Sequence, residues 1–375
     1  MVGGRCRSFF EKKIGYEIDN GNHLVFSANK NFYELCKIIG SEDRLMKISS
    51  DLKFYDLRKN MHWNFNIGNV SLTQLLMNKI SLIPDTKLYD YLSVLKFLFI
   101  KKNTTVFDVV GKSKIFETLW DPFTIGVMNT SSKKASAKIL SNVLKETVFK
   151  GEKFCQIYQP KINWNNAVIQ PCVDFINKKG LKIHFKRILK KIDVTDNHIT
   201  KLYFNNHSVD ISKKDIVLFA IPPSNLLKIF PMYKLPVNYN CIINIHYKLP
   251  KQLDKNTSLQ IIGLINTNSH WLFIKKNYLS ITISNANHLN EYSSDIIAKL
   301  IWKEISSCLK IKTPMTDYQV VREKKATVEQ SPTNYELVKK LNNLPKNSRI
   351  SGDWTQTSLP CTIEGSILSG KQAVS

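Results

Sequence analysis

Arg349-Ile350-Ser351-Gly352-Asp353-Trp354, followed by Leu359-Pro360-Cys361-Thr362-Ile363-Glu364-Gly365 and Ser369-Gly370, closes the chain with a strand-like stretch, a loop and a closing helix over 362–374. A strand that ends in Gly-Asp sets a carboxylate where it can accept a ribose or ribityl hydroxyl. The helix behind it turns free N–H groups and a positive dipole end toward a phosphate or the electron-rich edge of a ring. Gly365 and Gly370 inside that helix each cost about 1 kcal/mol relative to alanine, which points to something packed closely against them. Taken alone, this end is better explained by a tightly packed terminal helix beside a solvated Asp353. It has a counterpart at the other end, where Gly3-Gly4-Arg5 and Ser8 set closely approachable backbone beside a guanidinium.

Between the two ends the hydrophobic period changes several times. A turn at Asp19-Asn20-Gly21-Asn22 follows a hairpin-like segment, and residues 32–39 have helical spacing that stops at Gly40. Residues 71–148 read as mostly helical, with breaks at Pro84, Asn103-Thr104 and Asp121-Pro122; the apolar run 89–100 reads as a buried helix. Alternation returns at 180–185 and 189–194. Residues 215–221, ended by Pro222-Pro223, form a continuous apolar run that fits a strand buried on both faces. Segments 241–247, 259–265, 271–274 and 279–284 suggest an antiparallel sheet, and 293–310 is helical again. This order predicts an α/β protein whose two domains are discontinuous in sequence.

Composition narrows the function. The 375 residues carry a formal net charge of +24, but only seven of the 54 basic residues are arginine, and the 47 lysines (54 − 7) are spread from end to end. Arginine is the better fork for phosphate and guanine, and no basic cluster with interleaved aromatics appears, so a nucleic-acid binder is disfavoured. A general bias towards Lys, Asn and Ile accounts for most of the charge, and attraction to an anionic membrane for the rest. The seven cysteines show neither C-x-x-C nor zinc spacing, which predicts reduced thiols, a cytoplasmic protein and no metal. No stretch of 18 apolar residues is available to span a bilayer.

Several motifs occur in one order: Gly-Gly-Arg-x-x-Ser at 3–8; Ile18-Asp19-Asn20-Gly21-Asn22-His23; Ile39-Gly40-Ser41-Glu42-Asp43-Arg44-Leu45; Trp120-Asp121-Pro122 with Met128-Asn129-Thr130 and Ala135-Ser136; Ala220-Ile221-Pro222-Pro223; Glu323-Lys324-Lys325-Ala326-Thr327; and the C-terminal stretch quoted above. In this order and over nearly the whole chain, they resemble the hydroxysqualene dehydroxylases, a branch of the flavin amine oxidase and phytoene desaturase superfamily. The resemblance implies a Rossmann-like FAD-binding domain (1–50, 176–235 and 318–375) and an α+β substrate-binding domain (51–175 and 236–317). It also implies FAD as cofactor and reduction of hydroxysqualene to squalene by hydride from reduced flavin, with loss of the hydroxyl. Members of the family carry a Gly-x-Gly-x-x-Gly turn ahead of Gly-Gly-Arg, and this sequence has no Gly-x-Gly anywhere. The expectation is therefore that a first βαβ turn of about 35–40 residues is missing and that FAD binds poorly.

The resemblance places Gly3, Gly4 and Arg5 at the pyrophosphate, Gly352 and Asp353 at the ribityl-pyrophosphate stretch, and Trp354, Thr362 and Ile363 beside the flavin. Leu189 loosely matches the residue whose backbone meets adenine. The chemistry needs a proton for the leaving hydroxyl and a dry pocket that tolerates a developing carbocation, where aromatic faces contribute about 0.5–2 kcal/mol each. Trp63, Trp120, Phe123, Trp271 and Phe273 are the candidate wall, although each residue also suits an ordinary core. His23 is the candidate acid or flavin-side partner, with Asp19 orienting it, and reads equally as a turn histidine fixing its loop. Glu323-Lys324 reads as a structural ion pair or strand-end contact. A long hydrocarbon substrate implies peripheral contact with the inner face of the membrane near the pocket mouth. The open alternatives are a phytoene-desaturase-like or amine-oxidising flavoprotein, and a truncated, non-catalytic remnant.

Overall fold

The stretches 243–247 and 279–283 alternate apolar and polar side chains, and the strands that hold them, Tyr239–Lys248 and Tyr278–Ile283, stand side by side in the largest sheet. The computed structural model describes residues 2–66, 68, 82–253, 259–338, 341, 344–355 and 357–375. Its central sheet has seven strands in the order Tyr318–Val328, Tyr239–Lys248, Tyr278–Ile283, Trp271–Ile274, Gln260–Ile265, Asp51–Asp56, Met61–Asn66. Every neighbouring pair is antiparallel except Gln260–Ile265 with Asp51–Asp56, which is parallel. The two-residue period sends Ile243, Ile245, Tyr247, Ile281 and Ile283 to one face, where they pack on Ile297, Ala298, Ile301 and Ile305 of the helix Ser294–Leu309. The same period sends Asn244, His246, Ser280 and Thr282 to the opposite face, where they are also buried. A buried polar face needs partners, and those partners include the site described below.

Helices cover the far side of the sheet. The segments Leu88–Leu98, Val106–Val110, Asp121–Met128 and Ala137–Glu146 enclose a core of Phe54, Phe65, Tyr91, Phe97, Trp120 and Leu140. Smaller sheets complete the layers. Ser8–Glu11 and Tyr16–Asp19 form a hairpin, and Val25–Phe26, Ile157–Pro160 and Leu45–Ile48 form a three-stranded sheet. A second three-stranded sheet joins Ser208–Asp210, His198–Phe204 and Leu189–Thr195, while Val217–Phe219 pairs in parallel with Ser348–Ile350.

The helices expected at 32–39, 293–310 and 362–374 form as Lys30–Ile39, Ser294–Leu309 and Ile363–Val374, and Gly40 ends the first in the left-handed region, φ 64°. The four strands expected between 241 and 284 also form. Three expectations need correction. Residues 181–188 have no regular structure, because their alternating side chains find no sheet to join. The run 215–221 yields only Val217–Phe219, and Ile216 and Leu218 are exposed, so its second face is uncovered. The run 89–100, expected as a buried helix, forms the helix Leu88–Leu98 with Tyr91, Val94 and Phe97 buried but Tyr89, Leu92 and Leu98 exposed, because only one side of it meets the core; elsewhere the mostly helical reading of 71–148 holds over its described residues, 82–148, and residues 71–81 lie outside them. The strand Tyr318–Val328, placed by the sequence reading at the start of the nucleotide domain, pairs with Tyr239–Lys248 of the central sheet, with a bulge opposite Asn240–Ile242.

Candidate active site

A cavity of about 1510 Å³ runs between the two ends of the chain and the polar face of the main sheet. At one end the residues come from both termini. Gly3 and Gly4 have positive φ (91° and 50°), and they turn the backbone so that the Cys6 amide donates to the Gly3 carbonyl at 2.8 Å. The turn projects Arg5, whose Nη2 donates to Asp353 Oδ1 at 2.8 Å and whose Nη1 donates to the Ala326 carbonyl. Asp353 is buried while the Arg5 side chain stays partly exposed, and the pair ties the first turn to the loop after the strand Ser348–Ile350. The Ala326 contact gives Glu-Lys-Lys-Ala-Thr a place in the site, since Glu323, Lys325, Ala326 and Thr327 all line the cavity.

Trp354 follows, with its indole N–H donating to the Ile221 carbonyl at 3.0 Å, which brings Ala220-Ile221-Pro222-Pro223 to the same wall. Thr362 then caps the last helix, its hydroxyl accepting from the Gly365 amide at 3.3 Å. The first-turn amides of Ile363 and Glu364 are not used by that cap, and helix geometry gives them no intrahelical acceptor. A Cβ on Gly365 would lie 2.7 Å from the Pro360 carbonyl oxygen, so the close packing expected there is against the preceding loop. At Gly370 a Cβ would make only an ordinary contact, with Ser351 Oγ at 3.8 Å.

The other end of the cavity is apolar, lined by Phe54, Phe65, Leu119, Phe123, Trp271 and Phe273. Gly126, one turn along from Phe123, makes room for the Trp271 indole; a Cβ there would meet Nε1 at 2.9 Å. Between the two ends lies the loop Asn20–His23. Asn22 Nδ2 donates to Ser280 Oγ at 2.7 Å and to Thr282 Oγ1 at 3.0 Å, and Asn244 Nδ2 donates to the Asn20 carbonyl at 3.1 Å. The polar face of the sheet therefore holds this loop. His23 is half-buried on the cavity wall, with Nε2 3.3 Å from the Arg5 carbonyl and its ring edge-on to Trp164. Burial lowers its imidazole pKa below the ordinary 6.5.

Of the sixteen residues singled out by sequence, the cavity brings together Gly3, Gly4, Arg5, His23, Phe123, Trp271, Phe273, Gly352, Asp353, Trp354, Thr362 and Ile363. Four lie elsewhere. Asp19 is buried behind the loop, where its carboxylate accepts from Ser8 Oγ, the Trp164 amide and Lys275 Nζ at 2.7, 3.1 and 2.8 Å. These contacts hold the loop rather than the His23 ring. Burial alone would raise the Asp19 pKa, but the Lys275 ammonium and these donors outweigh it and hold the carboxyl below its usual range. Trp120 is core, its Nε1 donating to Ser93 Oγ at 2.9 Å. Trp63 stands in a second row, stacked on the cavity-lining Phe54. Leu189 pairs with Phe204 in an outer sheet.

Sequence reading passed over Asn129 as a site residue, although Met-Asn-Thr was among its motifs. Asn129 takes the left-handed conformation after the helix Asp121–Met128, and its Nδ2 donates to the Asn240 carbonyl and to Thr327 Oγ1 at 3.2 and 3.0 Å. Its Oδ1 accepts from the Asn285 amide at 2.6 Å, so one side chain joins the helical layer to three segments of the sheet edge at the cavity.

A family model described as flavin containing amine oxidoreductase matches residues 1–113 and 143–375. Hydroxysqualene dehydroxylase from Zymomonas mobilis is 33% identical over 384 residues, covering 100% of this chain and 90% of that protein. The protein of the same name from Rhodopseudomonas palustris is 31% identical over 376 residues, covering 100% and 89%. Among solved structures, an oxidoreductase from Methanosarcina mazei matches with TM-score 0.72 at 10% identity, over 100% of this chain and 92% of that one. Putrescine oxidase bound to putrescine matches with TM-score 0.70 at 12% identity, over 99% and 90%.

Proposed function

Because the chain belongs to the flavin containing amine oxidoreductase family and is a homologue of hydroxysqualene dehydroxylases, we propose that it reduces hydroxysqualene to squalene with FAD as cofactor. The observation that carries this reading is the two-ended cavity, polar where both termini meet and aromatic at the far end. Its volume exceeds that of most single-ligand pockets and suits a cofactor beside a long hydrocarbon.

The residues present fit the ribityl and flavin part of FAD. Asp353 offers a carboxylate oxygen to a hydroxyl, Arg5 a guanidinium to a phosphate, and Ile363 and Glu364 offer first-turn amides to an electron-rich ring edge. The nucleotide part comprises 1–50, 176–235 and 318–375 in this reading, and the substrate part 51–175 and 236–317. When bound in reduced form, FAD supplies the hydride that forms the new C–H bond, while the C–O bond breaks and the hydroxyl leaves as water with one added proton.

The chain supplies orientation, dryness and that proton. Phe123, Trp271 and Phe273, which line the apolar end, exclude water and stabilise positive charge developing at the allylic carbon. His23 holds the proton: with Nε2 facing the Arg5 carbonyl, Nδ1 is the ring atom left to serve the leaving hydroxyl. Asp19, fixed by Lys275, keeps the loop that carries His23 in register. The test is anaerobic incubation with hydroxysqualene and chemically reduced FAD, with products read by gas chromatography. Squalene is the expected product. No squalene, together with oxidation of putrescine or desaturation of phytoene by the FAD-loaded chain, would replace this reading.

A further inference from the structure

We propose that the outer face of the helix Leu88–Leu98, with Phe99 and the lysines around it, is a docking surface for an anionic lipid membrane. The helix is wound as a 3-10 helix over 11 residues, so side chains three apart stack in rows instead of spiralling. One row, Tyr91, Val94 and Phe97, is buried in the helical core. In the row beside it Tyr89, Leu92 and Leu98 are exposed, at 62%, 48% and 41%, while Leu95 between them is partly buried against the core, and Phe99 just beyond is 83% exposed. A soluble surface rarely gathers this many large apolar groups without a partner.

The charge around the row fits the headgroups of an anionic bilayer. Residues 87–114 contain six lysines (Lys87, Lys96, Lys101, Lys102, Lys112 and Lys114) and two aspartates. Both aspartates are occupied at helix starts, Asp90 by the Lys87 amide and Asp108 by Thr105. A shallow depression lined by Tyr89, Leu92, Lys96, Lys112 and Lys114 shows that the apolar row and its lysines share one surface. Lys87 Nζ also lies 5.9 Å from the centre of the Tyr89 ring. Aromatic groups that insert shallowly while lysines meet phosphates are the recurrent chemistry of interfacial binding. Among the described residues no helix is long and apolar enough to cross a membrane, so the contact is peripheral.

The surface lies one layer from the cavity. Tyr91 stacks on Phe65, which lines it, and Ser141 Oγ donates to the Phe97 carbonyl at 2.7 Å. Ser141 belongs to the helix Ala137–Glu146, whose Asn142, Val143 and Glu146 form part of the cavity wall. Passage of an oily substrate from bilayer to cavity rests on the function proposed above; the docking itself does not.

The test is flotation of the full chain with vesicles of phosphatidylcholine alone and of phosphatidylcholine mixed equally with phosphatidylglycerol. The wild type is expected to float with the anionic vesicles only. Leu98→Ser with Phe99→Ser, and separately Lys101→Glu with Lys102→Glu, should each reduce the bound fraction about tenfold or more. Circular dichroism and turnover of hydroxysqualene in detergent micelles should be unchanged in both variants. A wild type that stays at the bottom overturns the proposal, as does a Leu98→Ser, Phe99→Ser variant that floats normally. Single-stranded RNA bound in place of vesicles, with the same loss in both variants, would reassign the surface to nucleic acid. Turnover in micelles reports on the enzymatic reading whatever the flotation shows.

Discussion

His23 shows how a single residue can be found by type and yet assigned its partners only by geometry. A histidine just after Asp-Asn-Gly is a visible candidate for proton chemistry, and pairing it with the nearby aspartate is the natural reading. The fold separates them: Asp19 is committed to Ser8, Trp164 and Lys275, and the imidazole meets a backbone carbonyl instead. Because burial lowers the His23 pKa, the protonated ring is present only below the ordinary value of 6.5, and a reaction that draws its proton from the ring slows as pH rises through that lowered pKa. With hydroxysqualene and reduced FAD, kcat/KM should therefore decline with pH from a midpoint below 6.5. His23→Gln should flatten this profile and lower the rate by about 10²-fold. A sloping profile retained in the variant would assign the proton to another group. Asp353→Ala leaves the Arg5 guanidinium without its carboxylate; flavin retention during gel filtration should fall, and unchanged retention would remove Asp353 from the cofactor site.

At the scale of elements, the last helix serves the first. Asn29, the cap residue of Lys30–Ile39, makes no side-chain cap bond to the helix. The buried Glu364 takes that role from the other end of the chain. Its Oε1 accepts from the Asn31 amide at 3.1 Å and from Asn31 Nδ2 at 2.7 Å, and its Oε2 accepts from the Phe32 amide at 2.9 Å. A carboxylate at a helix N-terminus gains from both hydrogen bonding and the dipole. Glu364→Ala should cost about 2–3 kcal/mol, because two amides and one side-chain donor lose a charged acceptor. Glu364→Gln, which turns an NH₂ group toward one of those donors, should cost about 1–2 kcal/mol. Urea midpoints check both, and a wild-type midpoint in the alanine variant would show that water replaces the carboxylate. The motif Ile-Glu-Gly was legible in sequence as a signature, but its physical content was not, since a cap more than 300 residues away leaves no local pattern.

At the scale of the whole molecule, Lys275 and Asp19 fasten the N-terminal hairpin to the central sheet through a buried ion pair of 2.8 Å. Burial by itself lowers the Lys275 pKa, but Asp19 and Tyr278 outweigh it and raise it, as expected of an ammonium that stays charged beside its partner. Lys275→Met strands the aspartate and should cost about 3–5 kcal/mol, whereas the double change with Asp19→Asn should recover most of the loss. The sign with pH follows from the lowered folded pKa of Asp19. The pair's contribution is complete above the unfolded carboxyl pKa of about 3.9 and disappears as pH falls through the folded value. The wild type should therefore lose stability below about pH 4 more steeply than the double variant, as read by denaturant midpoints across that range. Equal slopes would mean that the pair adds nothing net to stability.

Local pattern determined much of this protein. The strands between 239 and 283 follow from short apolar and alternating runs, the helix at 294–309 from its apolar stripe, and the glycines, Arg5 and Asp353 at the two ends from the backbone and charge that a cofactor requires. The tertiary structure alone decided what each end meets: that Arg5 closes on Asp353 and Ala326, that Trp120 belongs to the core while Trp271 stands on the cavity wall, and that Asn129 joins helix to sheet. It also decided that the apolar run at 88–99 is buried along one row and exposed along the next. Period and composition are properties of neighbours in the chain, so a sequence displays them directly. Contacts between residues hundreds of positions apart depend on how layers pack, and no local spacing records that.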